Sequence, residues 1–112
     1  MNFKVIQTKN AYYKLKFGFA AMEFVEDVLG ISINDLSTAL AKPSMKQIRV
    51  LLHAMLESGE ERNFKTPEVH AIMDAIVGEE GIEGLAKLIG EVIELAFPES
   101  NHAYPDDVAG KR

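Results

Sequence analysis

Cysteine is absent from the 112 residues of this chain. Disulfide bonds, thiolate metal ligands and cysteine nucleophiles are therefore excluded. The absence is in keeping with the reducing cytoplasm, where disulfide bonds are rare.

Long apolar runs are also lacking, and none approaches the roughly 20 residues that a membrane-spanning helix needs. The first six residues are too few and too mixed in polarity to form the apolar part of a signal peptide. Apolar residues make up 47% of the chain and charged residues 26%, as in ordinary globular proteins. We therefore expect a single soluble, cytoplasmic domain with no membrane partner.

Basic residues are outnumbered, 12 against 17 acidic ones, which gives a net charge of −5. Residues 1–16 contain Lys4, Lys9, Lys14 and Lys16 but no acid, so the rest of the chain carries a charge of −9. An acidic body argues against nonspecific nucleic-acid binding. Two interpretations of the basic segment stay open. In the first, Lys4, Lys14 and Lys16 contact an acidic partner, such as a second copy of the chain. In the second, the lysines protect an edge strand from unwanted pairing.

No arrangement of residues indicates catalysis, a metal or a cofactor. His70 and Asp74 are four residues apart, but a surface histidine beside an acid explains this pair better than a metal site does. The charged stretch 57–68 does not follow the calcium-loop pattern, because Gly59 stands where that pattern needs an acid or amide. We expect no enzyme, no cofactor and no small-molecule substrate.

The hydrophobic pattern predicts a mainly α fold, a compact bundle of about five helices with a short N-terminal β-hairpin or extended segment. Tyr13, Leu15 and Phe17 alternate with lysines, as in a half-buried strand. Gly30, Gly59 and Gly78 are expected to end helices. The predicted domain covers residues 1–97, with β structure within 1–17, and residues 98–112 form a flexible polar tail. The predicted strands cover residues 3–8 and 12–17, and the predicted helices cover 19–29, 32–41, 44–58, 66–77 and 82–97.

The last predicted helix carries apolar residues outside its main stripe. Leu88 and Leu95 are one heptad apart, with Val92 between them. A helix that is apolar on more than one face lies either in the centre of the core or against a partner. Leu88, Val92 and Leu95 are therefore candidate protein-interaction residues.

The order of these elements resembles the tail assembly chaperones of long-tailed bacteriophages and of related prophages and gene-transfer agents. The resemblance spans about residues 12–99 and depends on the order of short motifs, none of which is catalytic. The matching stretches lie at residues 15–17, 26–30, 43–44, 51–54, 66–69 and 96–99.

The resemblance implies a small helical protein of the host cytoplasm that is absent from the mature virion. It implies a homo-oligomer that keeps the apolar tape measure protein soluble, with the tail tube protein as a further partner. The alternative is a small helical adaptor or regulatory module unrelated to phage. A helix-turn-helix DNA-binding protein is a weaker alternative, because the helix that begins at Thr66 is acidic and apolar rather than basic.

Overall fold

The computed structural model describes residues 3–9 and 11–97. It is mainly helical with an N-terminal antiparallel hairpin, which confirms the predicted class. The predicted tail at 98–112 lies outside the described residues, as does Asn10, which the sequence favours as a turn position between the two strands.

The hairpin consists of β1 (Phe3–Gln7) and β2 (Tyr12–Lys16). Lys4 is paired with Leu15, and Ile6 with Tyr13. Directly opposite residues share a face of a sheet, and Leu15 is completely buried. The face that carries Lys4, Ile6, Tyr13 and Leu15 is therefore turned towards the helices, and the predicted alternation is confirmed.

Helix α1 (Phe19–Leu29) ends as predicted at Gly30, which has a φ of 70°. The Gly30 N–H donates to the Glu26 carbonyl, as in a left-handed helix end. Helical spacing predicts an apolar face that includes Ala21, Phe24 and Val28, with Val25 beside them, and this prediction is only partly correct. Ala21 and Val25 are buried, whereas Val28 is exposed because α1 lies at the surface and covers α3 with only part of its circumference.

The predicted second helix is shorter than expected. A 3-10 turn (Ile33–Asp35) precedes α2 (Leu36–Ala39). The Glu26 carboxylate accepts a hydrogen bond from the Ile33 N–H at 2.8 Å, which fixes the chain at the start of this turn. Leu36 is the buried residue of this segment.

Helix α3 (Met45–Glu60) forms the centre of the core. Serine at position 44 and glutamine three residues later predict a capping box, which is confirmed: the Ser44 hydroxyl accepts from the Gln47 N–H, and the Gln47 side chain accepts from the Ser44 N–H. Helical spacing predicts four core residues in this helix, and all four are buried, namely Ile48, Leu51, Leu52 and Met55.

Gly59 does not end α3, which corrects the prediction. The helix continues to Glu60 and ends at Glu61, whose φ is 58°. Gly59 instead lies against β2, where a Cβ atom would overlap the carbonyl group of Lys14. The glycine thus allows the backbones of α3 and β2 to approach each other closely.

The last element, α4 (Thr66–Ala96), combines the two helices predicted at 66–77 and 82–97, so the described residues contain four helices rather than five. The helix continues past Gly78 and is interrupted at Gly81, whose φ of 77° and ψ of 174° are not helical. A glycine in a helical pattern is therefore not sufficient to predict a helix end, because Gly78 keeps helical geometry and Gly81 does not.

The loop between α3 and α4 is held by a small polar network. Glu57 Oε2 accepts the Phe64 N–H at 2.8 Å and lies 3.1 Å from His53 Nε2. The same histidine nitrogen lies 2.9 Å from the Phe64 carbonyl oxygen. These contacts fix Phe64, whose side chain is buried in the core.

We predict that Gly59→Ala destabilises the protein by about 1–3 kcal/mol, because the new methyl group overlaps backbone that cannot move aside easily. Gly90→Ala is the matched control, since Gly90 is helical and a Cβ atom there meets nothing within 4 Å. We expect this control to stabilise the protein by about 0.5–1 kcal/mol. Denaturant unfolding measures both changes, and equal stabilities of the two variants would contradict the close contact.

We also predict a pH-dependent contribution at the start of α4. A hydrogen bond from Arg62, 2.9 Å between Nη2 and Oε2, lowers the pKa of Glu68. A lowered pKa in the folded state stabilises the protein above the unfolded pKa, and this contribution disappears as the pH falls through the folded pKa. Arg62→Ala should raise the pKa of Glu68 in an NMR titration. The control Lys46→Ala, in another helix, should not raise it.

Candidate protein-interaction surfaces

The histidines show no arrangement that favours metal chemistry. Within the described ranges, no group of three or more histidine, aspartate or glutamate side chains could hold a metal ion. The imidazole of His53 contacts the carbonyl oxygen of Phe64, and His70 is exposed on α4. His102 lies outside the described residues. In the described residues, 3–9 and 11–97, no helix is both long enough and apolar enough to cross a membrane.

The predicted interaction stripe on α4 is mostly internal. Val92 is completely buried and Leu88 is 7% exposed. Leu95 alone is half-buried. Of the two alternatives for this helix, Leu88 and Val92 follow the core position in the single chain, because α4 turns both side chains into the core that it shares with α3 and the hairpin. The assignment of Leu95 to a protein interface stays a prediction.

The three predicted lysines lie on two different faces of the hairpin. Lys14 and Lys16 are opposite Val5 and Phe3, so they occupy the outer face. Lys4 lies on the inner face, where its Nζ is 3.2 Å from Oε1 of Glu91 on α4. One basic side chain thus already has an acidic partner within the chain, while Lys14 and Lys16 remain exposed.

The outer face of the hairpin also carries apolar side chains. Val5 is 50% exposed and Tyr12 is 67% exposed. Phe3 is half-buried on the same face, and the Lys14 ammonium lies 5.4 Å from the centre of its ring. This surface, formed by Phe3, Val5, Tyr12, Lys14 and Lys16, is called the outer hairpin face below.

Lys14 and Lys16 of this face were predicted from the sequence as interaction residues, whereas its apolar side chains were not. The sequence did contain a signal for them. In an alternating strand, the side chains of Phe3 and Val5 point to the face opposite the one that carries Ile6. Phe19 begins α1, as predicted, but the sequence pattern did not indicate that its side chain is 82% exposed.

The two edges of the hairpin differ. The edge of β2 is covered by α3: the Lys14 N–H donates to Glu60 Oε2, and the Lys14 carbonyl faces Gly59. The edge of β1 is open. Thr8 and Ala11 form a hydrogen-bonded pair at the turn, and such pairs alternate along an antiparallel ladder. The backbone groups of Val5 therefore point away from β2, and they meet no partner in the described part of the chain.

Two adjoining open clefts separate the hairpin from α4. One, of about 370 Å³, is bordered by Val5, Glu80, Gly84 and Lys87. The other, of about 510 Å³, lies at the turn of the hairpin beside Tyr13 and Ile72. The open edge of β1 thus faces a space that another polypeptide segment can enter.

This arrangement can bind a protein in two ways, by packing on the outer hairpin face and by strand addition at β1. Comparison with known proteins identifies no relative: no family model, no curated protein and no solved structure matches the chain.

Proposed function

We propose that this chain is a noncatalytic phage tail assembly chaperone that self-associates and holds the tape measure protein in the host cytoplasm during tail assembly. The order of motifs along residues 12–99 favours this function. The structural observation that carries it is the outer hairpin face, where exposed apolar residues stand beside two exposed lysines.

Such a face fits the physics of a chaperone for a long apolar helix. Exposed Val5 and Tyr12 offer contact area to apolar side chains of the client. Lys14 and Lys16 offer ion pairs to acids that flank the apolar stripe of such a helix. The small size of the face limits the affinity of one copy, so a long client needs many copies along its length.

The same surface also suits the alternative, a small adaptor that binds an unrelated helical partner. The chemistry of the face is the same in both cases. The identity of the bound helix and the neighbouring genes decide between them: genes for a tail tube protein and a tape measure protein are expected beside a chaperone gene.

We predict that co-expression with the neighbouring tape measure protein keeps that protein in the soluble fraction. Tyr12→Asp should abolish this effect, because it places a charge in the apolar part of the outer hairpin face. Met45→Asp is the control, since Met45 is 48% exposed at the start of α3, away from the hairpin. Soluble tape measure protein, quantified after centrifugation, is the readout.

Equal solubility of the tape measure protein with and without the wild-type chain would contradict the chaperone proposal. Equal losses in Tyr12→Asp and Met45→Asp would contradict the assignment of the client to the outer hairpin face.

A further inference from the structure

We propose that two copies of this chain pair through their β1 strands, in antiparallel orientation about a two-fold axis at Val5, to form one four-stranded sheet. The inference builds on the self-association in the proposed function and gives it a geometry. In this proposal a second copy of the chain binds at the open edge of β1, and four features of the chain favour this partner.

The first feature is the unpaired backbone. Phe3, Val5 and Gln7 direct their N–H and C=O groups away from β2. When β1 meets a second β1 about Val5, the two Val5 residues exchange hydrogen bonds, and Phe3 of each copy does so with Gln7 of the other. About six backbone hydrogen bonds then form across the axis.

The second feature is the side-chain pattern of β1. In this register Lys4 of one copy lies opposite Ile6 of the other, so no like charges face each other. The half-exposed Val5 side chains lie against one another on the outer face. Lys4 can keep its ion pair with Glu91 of its own chain, because both lie on the inner side.

The third feature is the position of α4, which contacts both strands of the hairpin from the inner side. Helix α4 also forms the far wall of the cleft at the open edge of β1. Pairing about Val5 therefore brings the two copies of α4 to the same side of the four-stranded sheet, where they face each other across the axis.

The fourth feature is charge complementarity on α4. Glu80 and Lys87 border the same cleft beside β1, on either side of the break at Gly81. Two antiparallel copies of this surface place Glu80 of each beside Lys87 of the other when the two-fold axis passes between these side chains. Within the described residues, neither Glu80 nor Lys87 takes part in an ion pair.

Pairing at β1 has a consequence for the client. The two outer hairpin faces become one continuous sheet surface, because the strands of both copies share it. The exposed apolar residues of two chains thereby lie on one surface without a change in either hairpin.

Light scattering and analytical ultracentrifugation of the full chain over a concentration series test this pairing. We expect the wild type to form dimers or even-numbered assemblies of them. Val5→Pro removes the N–H that points outward and leaves the hydrogen bonds of its own hairpin intact. We expect it to weaken association about 100-fold or more, whereas Val5→Thr, which keeps the N–H and the β-branched shape, should stay within about tenfold of the wild type.

A charge exchange tests the contact between the two copies of α4 independently of hairpin folding. Glu80→Lys and Lys87→Glu should each weaken association about tenfold, because each places like charges together twice across the axis. The double variant Glu80→Lys/Lys87→Glu restores opposite charges in a two-fold contact and should recover wild-type association.

Three outcomes overturn the pairing. Val5→Pro with wild-type mass excludes the β1 edge, and a double variant no better than the single ones excludes the two-fold α4 contact; in both cases self-association stands. A wild type that is monomeric at every concentration excludes self-association as well. Circular dichroism checks that each variant keeps the helical content of the wild type.

Discussion

The fold depends on the close contact between β2 and α3. A two-stranded hairpin is marginally stable by itself in water, and this one is held because α3 covers the edge of β2. Gly59 lets the helix backbone reach the Lys14 carbonyl, and Glu60 accepts the Lys14 N–H. Leu15, on the same strand, is completely buried. The backbone contact and the buried leucine together fix the hairpin on the helical core.

This contact makes the hairpin asymmetric. One edge is closed by a helix, and the other presents the unpaired backbone of a short strand to a cleft. Natural proteins usually protect such edges by shortness, by charge or by a bulge. Here β1 has five residues and one lysine. That lysine is engaged with Glu91 on the inner side, so the protection by charge is weak along the open edge.

The long helix α4 connects the core with the exposed surfaces. Its second half contributes Leu85, Ile89 and Val92 to the core. Its break at Gly81 lies at the level of the clefts, between Glu80 and the half-exposed Ile82. A helix that is apolar on a broad face is used here mainly to complete the core, whereas the hairpin presents exposed apolar side chains beside exposed lysines.

The sequence by itself determined the local elements. The alternation of Tyr13 and Leu15, the capping box at Ser44 and the glycine at position 30 each act within a few residues, so the hairpin, the start of α3 and the end of α1 could be predicted. Only the tertiary structure decided the roles of Gly59, Gly78 and Gly81, which look alike in sequence but differ in backbone conformation and packing. It also decided that Leu88 and Val92 are internal, that Lys4 is paired and that β1 has the open edge. Those properties depend on which surfaces meet across distant parts of the chain, and hydrophobic spacing along one helix carries no information about its neighbours.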